Sequence, residues 1–182
     1  MVALMGVVSA RSLGHFSSGM AKREVPQEHS HQNILDIVNP ILDQNNPLKI
    51  QDAVFGLLGN KAAAEGAPNV QDLDCLQQIV ADQVFTTAKA SGDVNGQANA
   101  IIYRALERNT ASVGLASALC DQTAQNPEIA AITQHQDPAS PQASGNANIE
   151  LAVATQLASI GADPNLALGS ATFAPGKVCC YK

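Results

Sequence analysis

Apolar residues recur along this chain at intervals of three and four, in stretches opened by Asn-Pro or closed by Gly, and that spacing confines it to packed α-helices. Ile34, Ile37, Val38 and Ile41 share one face between Asn33 and Asp43, although Pro40 should kink or interrupt that helix. Asn46-Pro47 reads as a cap followed by proline in the first turn, opening a helix whose stripe of Ile50, Val54, Leu57 and Leu58 stops at Gly59. After a fraying stretch and a loop, Asn69 caps a third helix with Leu73, Leu76, Val80 and Val84, which runs to about Ala90 before a turn at Ser91-Gly92-Asp93.

The longest pattern runs from Asn95 to about Thr123 through Ile101, Ile102, Leu106, Val113 and Leu119, weakened in its middle by Asn109-Thr110 and Gly114. Asn126-Pro127-Glu128 opens a short element, and the Pro-, Ser- and Gly-rich stretch from His135 to Ala147 reads as a surface loop. A last helix carries Ile149, Val153, Leu157 and Ile160, stops at Gly161, and gives way to irregular chain from Asp163. The expected fold is all-α: a small irregular bundle of about five to six helices over residues 33–168, with 169–182 as an irregular tail. Aromatic residues are only 3 % and Trp is absent, so the core must be built from Ala, Leu, Val and Ile, whose small side chains favour close helix packing. No apolar run approaches the roughly 20 residues that span a bilayer.

Val2 to Ala10 is an apolar run of signal-peptide length, without a basic n-region, and Val8-Ser9-Ala10 places small residues where a signal peptidase cuts after Ala10. Residues 1–10 are thus expected to be a leader, 11–23 a pro-segment ending in the dibasic pair Lys22-Arg23, and 24–32 a flexible polar strip. From Glu24 onward sixteen acidic residues face seven basic ones, a net charge of −9. Such a body repels phosphate backbones, which argues against nucleic acid as a partner.

An exported chain oxidises its thiols, and four cysteines allow three pairings. Cys75 with Cys120 is favoured, both lying in expected helices, while the adjacent Cys179 and Cys180 would bridge each other, stay free or pair between chains. Two straight helices turning at Gly92 would hold Cys75 and Cys120 roughly 16 Å apart along their axes. The bridge therefore requires a break between Asn109 and Gly114 or a strongly crossed packing.

Catalytic patterns are missing. There is no G-x-S-x-G elbow, and Gln134-His135-Gln136-Asp137 lacks the cysteine-led His-Asp pair of a helical phospholipase. Asp72 and Asp74, two apart on a helix, face away from each other and better complement a helix N-terminus than form a glycosidase pair. His29-Ser30-His31, with Glu28 alongside and His135 and Asp137 far along the chain, reads as an exposed polar strip, not a metal site. Arg104, Glu107 and Arg108 lie at helical spacing and read as a solvated face with weak ion pairs. No enzyme, cofactor or metal is expected on these grounds.

The leader, the Lys22-Arg23 site and the Ala-rich helical body with one bridge resemble secreted, cell-surface-associated proteins of filamentous fungi. The stretches Arg104-Ala105-Leu106-Glu107-Arg108-Asn109-Thr110 and Asn126-Pro127-Glu128-Ile129-Ala130-Ala131, through His135-Gln136-Asp137-Pro138, carry that resemblance. It implies an extracellular, non-catalytic role, wall-associated or host-directed, with cell-wall polysaccharide or a host extracellular protein as partner. The alternative is an amphipathic protein that coats lipid or another hydrophobic surface.

Overall fold

The computed structural model describes residues 30–172. Six α-helices follow one another there: α1 (Gln32–Gln44), α2 (Asn60–Gly66), α3 (Leu76–Ser91), α4 (Val94–Ala105), α5 (Pro127–Ala130) and α6 (Asn146–Ser159). Short 3-10 turns at Ala53–Leu57, Leu73–Cys75, Pro141–Gly145 and Pro164–Ser170 fill the connections, and no strand occurs among the described residues. The fold is the expected all-α bundle. Ala10, Lys22, Arg23, His29, Cys179 and Cys180 lie outside the described residues.

The turn at Gly92 organises the rest. Gly92 adopts φ 71, a left-handed conformation that costs glycine little, and the N–H of Asp93 returns to the Ala88 carbonyl at 2.9 Å. Asp93 in turn caps α4 by accepting the Gly96 N–H at 2.9 Å. α3 and α4 therefore pack as a hairpin, α1 lies across both, and α6 with the Pro164–Ser170 turn covers α4 from another side. Every residue of α4 from Gly96 to Ala105 is buried as a result.

Several expected boundaries move, each for a long-range or side-chain reason. The helix at 33–43 survives Pro40, because Ile34, Leu35, Val38, Ile41 and Leu42 on both sides of the proline are buried in the core. The helix expected at 46–59 is reduced to the turn Ala53–Leu57. Asn46 is the cause: its side chain binds both the N–H (2.9 Å) and the carbonyl (2.7 Å) of Ile50, and so competes with helical pairing. Asn69 does not cap α3; its amide donates to the Leu48 carbonyl, and Asp72 caps the 3-10 turn before the helix instead. The irregular chain expected from Asp163 includes the 3-10 turn Pro164–Ser170, capped by Asp163.

The largest shift is at the pattern from Asn95 to Thr123, which ends as a helix at Ala105. Gln77, buried in α3, donates to the carbonyls of Tyr103 (2.9 Å) and Leu106 (2.8 Å), while the Ala105 carbonyl is taken by the His135 N–H (2.8 Å). Partners from elsewhere in the chain thus satisfy the carbonyls that a longer helix would have used. Residues 106–126 are irregular, so Cys120 is not helical. The break that the disulfide requires falls earlier than expected, at Leu106.

Candidate functional site

The irregular segment 106–126 is pinned to the bundle at several points. Cys75, fully buried ahead of α3, is bonded to the half-buried Cys120 across 45 positions of sequence, with a Cα–Cα distance of 4.5 Å. Gln78 donates to the Gln122 carbonyl at 2.7 Å. The carboxylate of Asp82 accepts the N–H groups of Gln125 (2.7 Å) and Asn126 (2.9 Å) and the Asn126 amide (2.7 Å). From the far side, Gln134 reaches the Ala118 carbonyl (2.6 Å), Gln136 accepts the Ser117 N–H (2.8 Å), and Asp137 accepts the Gly114 N–H (2.9 Å).

These contacts correct the reading of His135 to Ala147 as a surface loop at its start, while Pro141 to Ala147 does lie at the surface. Gln134, Gln136 and Asp137 are buried because their side chains supply hydrogen bonds that the irregular segment cannot make for itself, and His135 is buried between them with its ring on the Ala105 carbonyl. The solvated face expected of Arg104, Glu107 and Arg108 is likewise overturned: the three are 2 %, 1 % and 3 % exposed. Arg104 stands on α4, whose residues from Gly96 to Ala105 are all buried, and Glu107 and Arg108 follow where the chain has left the helix. Arg104 donates to the Gln134 (2.9 Å) and Gln78 (3.2 Å) side-chain oxygens, and burial pushes its guanidinium down to about 10, which leaves it charged at neutral pH. Arg108 clamps Asn60 (2.6 Å) and the Leu58 carbonyl (3.3 Å) and pairs with Asp74 at 3.5 Å.

Arg108 also lines a cleft of about 220 Å³ between the start of α2 and the irregular segment. Asn60, Asp74, Asn109 and Thr110 form its polar side, and Ala111, Leu115, Ala116 and Ala118 its apolar side. Around it, Val113, Leu115 and Leu119 are about half exposed, an uncommon density of large aliphatic surface on one loop. No aromatic ring lines the cleft.

A second polar cluster lies at the foot of α4. His135 is fully buried, and its Nδ1 sits 2.6 Å from the Ala105 carbonyl while its Nε2 faces Glu150 Oε1 at 3.9 Å. Burial pushes His135 down from its ordinary value, against the opposing pull of the Ala105 carbonyl, Glu150 and the Asn146 backbone. His31, at the N-cap of α1, is 5 % exposed and not part of an exposed strip. Burial and the neighbouring His135 hold it at about 4. The structure thus brings together two histidines far apart in sequence that were read as solvent-facing. The available signal was that Ile34, Leu35 and Val38, one turn beyond His31, dock α1 on the core and carry its first turn inward.

Among the described residues, Asp72, Cys75 and Asp121 also bring ligand-type atoms within 4.8 Å of one another, but the sulfur is committed to the disulfide. No helix of the described residues is long and apolar enough to cross a membrane. No protein-family model, no curated protein and no solved structure matches the chain, so its function has to be read from its own residues.

Proposed function

We propose that this protein is a secreted, non-catalytic interaction module that presents the segment 106–126 to an extracellular protein partner, in the wall or on a host. The observation that carries this reading is the pinned loop: a disulfide, three glutamines and two aspartates hold an irregular segment whose Val113, Leu115 and Leu119 remain exposed. Fixing a loop before binding lowers the entropy lost on association. Exposed aliphatic side chains beside a cleft with a charged floor suit a protein surface, where an apolar anchor is rimmed by polar contacts. Polysaccharide is the weaker candidate, because the C–H faces of sugar rings pack best on aromatic rings and the cleft has none. A disulfide is durable outside the reducing cytosol, which supports export.

The second reading, adsorption to a lipid or hydrophobic surface, is favoured by Leu151, Leu166 and Leu168, which are 67 %, 44 % and 57 % exposed on α6 and the last 3-10 turn. One experiment separates the readings. Purified protein and a Leu115→Asp/Leu119→Asp double variant are offered to insoluble wall polysaccharide, to phospholipid vesicles and to immobilised extracellular proteins of wall and host. Capture by the proteins that the double substitution abolishes supports the first reading. Vesicle binding that the substitutions leave intact supports the second. Export is tested by intact mass from the culture supernatant, where a chain beginning at Glu24 with Cys75 oxidised is expected; an uncut, fully reduced chain retained in cells would overturn it.

A further inference from the structure

We propose that the Cys75–Cys120 bridge is a thiol-exchange site that discriminates by charge: an external thiol attacks at Cys120 Sγ, and the carboxylates of Asp72 and Asp121 disfavour anionic thiols against cationic ones. Access fixes the point of attack. Cys75 is 0 % exposed, whereas Cys120 lies half-buried on the irregular segment. A thiolate RS⁻ therefore reaches Cys120. Its electron pair forms the bond from R–S to Cys120 Sγ, the Sγ–Sγ bond breaks, and the displaced pair leaves on Cys75 as a thiolate that takes up a proton. A second thiolate attacks the R sulfur of the mixed disulfide, releasing RSSR and a Cys120 thiolate that is protonated in turn. Two external thiols are oxidised and one bridge is reduced.

The charges around the bridge oppose the first step. Asp72 Oδ2 lies 3.4 Å from Cys75 Sγ, and that sulfur and a carboxylate oxygen of each of Asp72 and Asp121 all fall within 4.8 Å of one another. The leaving thiolate thus forms beside two negative groups, which slows its departure. The Gln122 N–H points at the other sulfur, Cys120 Sγ, from 3.4 Å. The sulfur whose thiolate a donor would stabilise is therefore the one that has to be attacked, and the buried sulfur that has to leave sits among carboxylates. Both features are held in place: Gln78 fixes the Gln122 carbonyl at 2.7 Å, and Asp72 Oδ1 accepts the Asp74 N–H at 3.0 Å. An attacker with its own carboxylates, such as glutathione, is repelled by this field, whereas an ammonium beside the thiol, as in cysteamine, is attracted. Two units of charge difference at about 7 Å in a water-like dielectric correspond to about a fivefold rate difference per carboxylate at low salt.

The test reduces the oxidised full-length chain with cysteamine and with glutathione at equal thiolate concentration and low salt, and reads Cys75 and Cys120 separately by alkylation and peptide mapping. The quantity measured is the ratio of the two rates, divided by the same ratio for the chain unfolded in urea. It should exceed about tenfold in the native protein. Asp121→Asn should lower it about fivefold, Asp72→Asn/Asp121→Asn should bring it close to one, and Asp121→Glu, which keeps the charge, should preserve it. Asp121 is exposed, so the urea midpoint of oxidised Asp121→Asn should match wild type, which separates a lost charge from a lost fold. The mixed disulfide trapped by acid should carry cysteamine on Cys120. Three outcomes overturn the site: a native ratio equal to the unfolded one, a ratio that ignores both neutralising variants, or cysteamine found on Cys75.

Discussion

Arg104 shows why single residues were the hardest part of this chain to read. Its spacing from Glu107 and Arg108 is that of a solvated ion-pair face, and nothing in the charges themselves says otherwise. The informative neighbours are Ala100 and Ile101, four and three residues earlier, both fully buried, which put Arg104 on a core-facing side. With the guanidinium removed, two buried glutamine oxygens lose their donors. Arg104→Met should therefore lower stability by roughly 2 to 4 kcal/mol in a urea melt, since each abandoned acceptor costs about 1 to 3 kcal/mol. A change within the scatter of surface substitutions would mean that Gln78 and Gln134 find other partners.

The buried histidines give a pH dependence with a definite sign. Folding holds His31 near 4, below its ordinary 6.5, and lowers His135 as well, so the unfolded chain binds more protons. The contribution is fully present above about pH 6.5 and is lost as pH falls toward about 4, on the order of 3 kcal/mol for His31. Denaturant midpoints measured across that window should fall with acid, and the fall should shrink in His31→Gln.

At the scale of elements, the helices that bury a clean stripe were legible, and those that depend on distant partners were not. α1, α3 and α6 follow from periodicity, and the Asp93 cap and Gly92 turn follow from local chemistry. The early end of α4 does not, because Gln77 and His135 stop it from 29 and 30 positions away in sequence. The Cys75–Cys120 bridge nonetheless pointed to a break, since a straight helix could not have met it. That bridge closes a loop of 45 residues, and the chain-entropy relation gives about 4 kcal/mol for such a loop. Cys75→Ala/Cys120→Ala should lose roughly 2 to 4 kcal/mol, and amide exchange should rise first in residues 106–126. Uniform acceleration over the whole chain would show that the segment is not a separate unit of opening.

The whole molecule is packed with almost no aromatic rings, and that composition dictates how close its helices must come. Ala81 and Ala88 on α3, and Ala98, Ala100 and Ala105 on α4, are all 1 % exposed or less, so methyl groups fill much of the space around the hairpin. Gly56 belongs to the same economy of space: a Cβ there would overlap the Tyr103 hydroxyl, which donates to the Ala53 carbonyl. Dense small-residue packing leaves no room for extra volume, whereas an Ala-rich chain that packed loosely would accept it. Ala100→Leu should therefore destabilise by roughly 1 to 3 kcal/mol, the usual cost of forcing methylene groups into a filled core. The exposed Leu151→Gln should stay within about 0.5 kcal/mol. Equal melting temperatures for Ala100→Leu and wild type would mean that the packing around α4 yields, and that the bridge and the pinned loop, not close packing, hold the bundle in register.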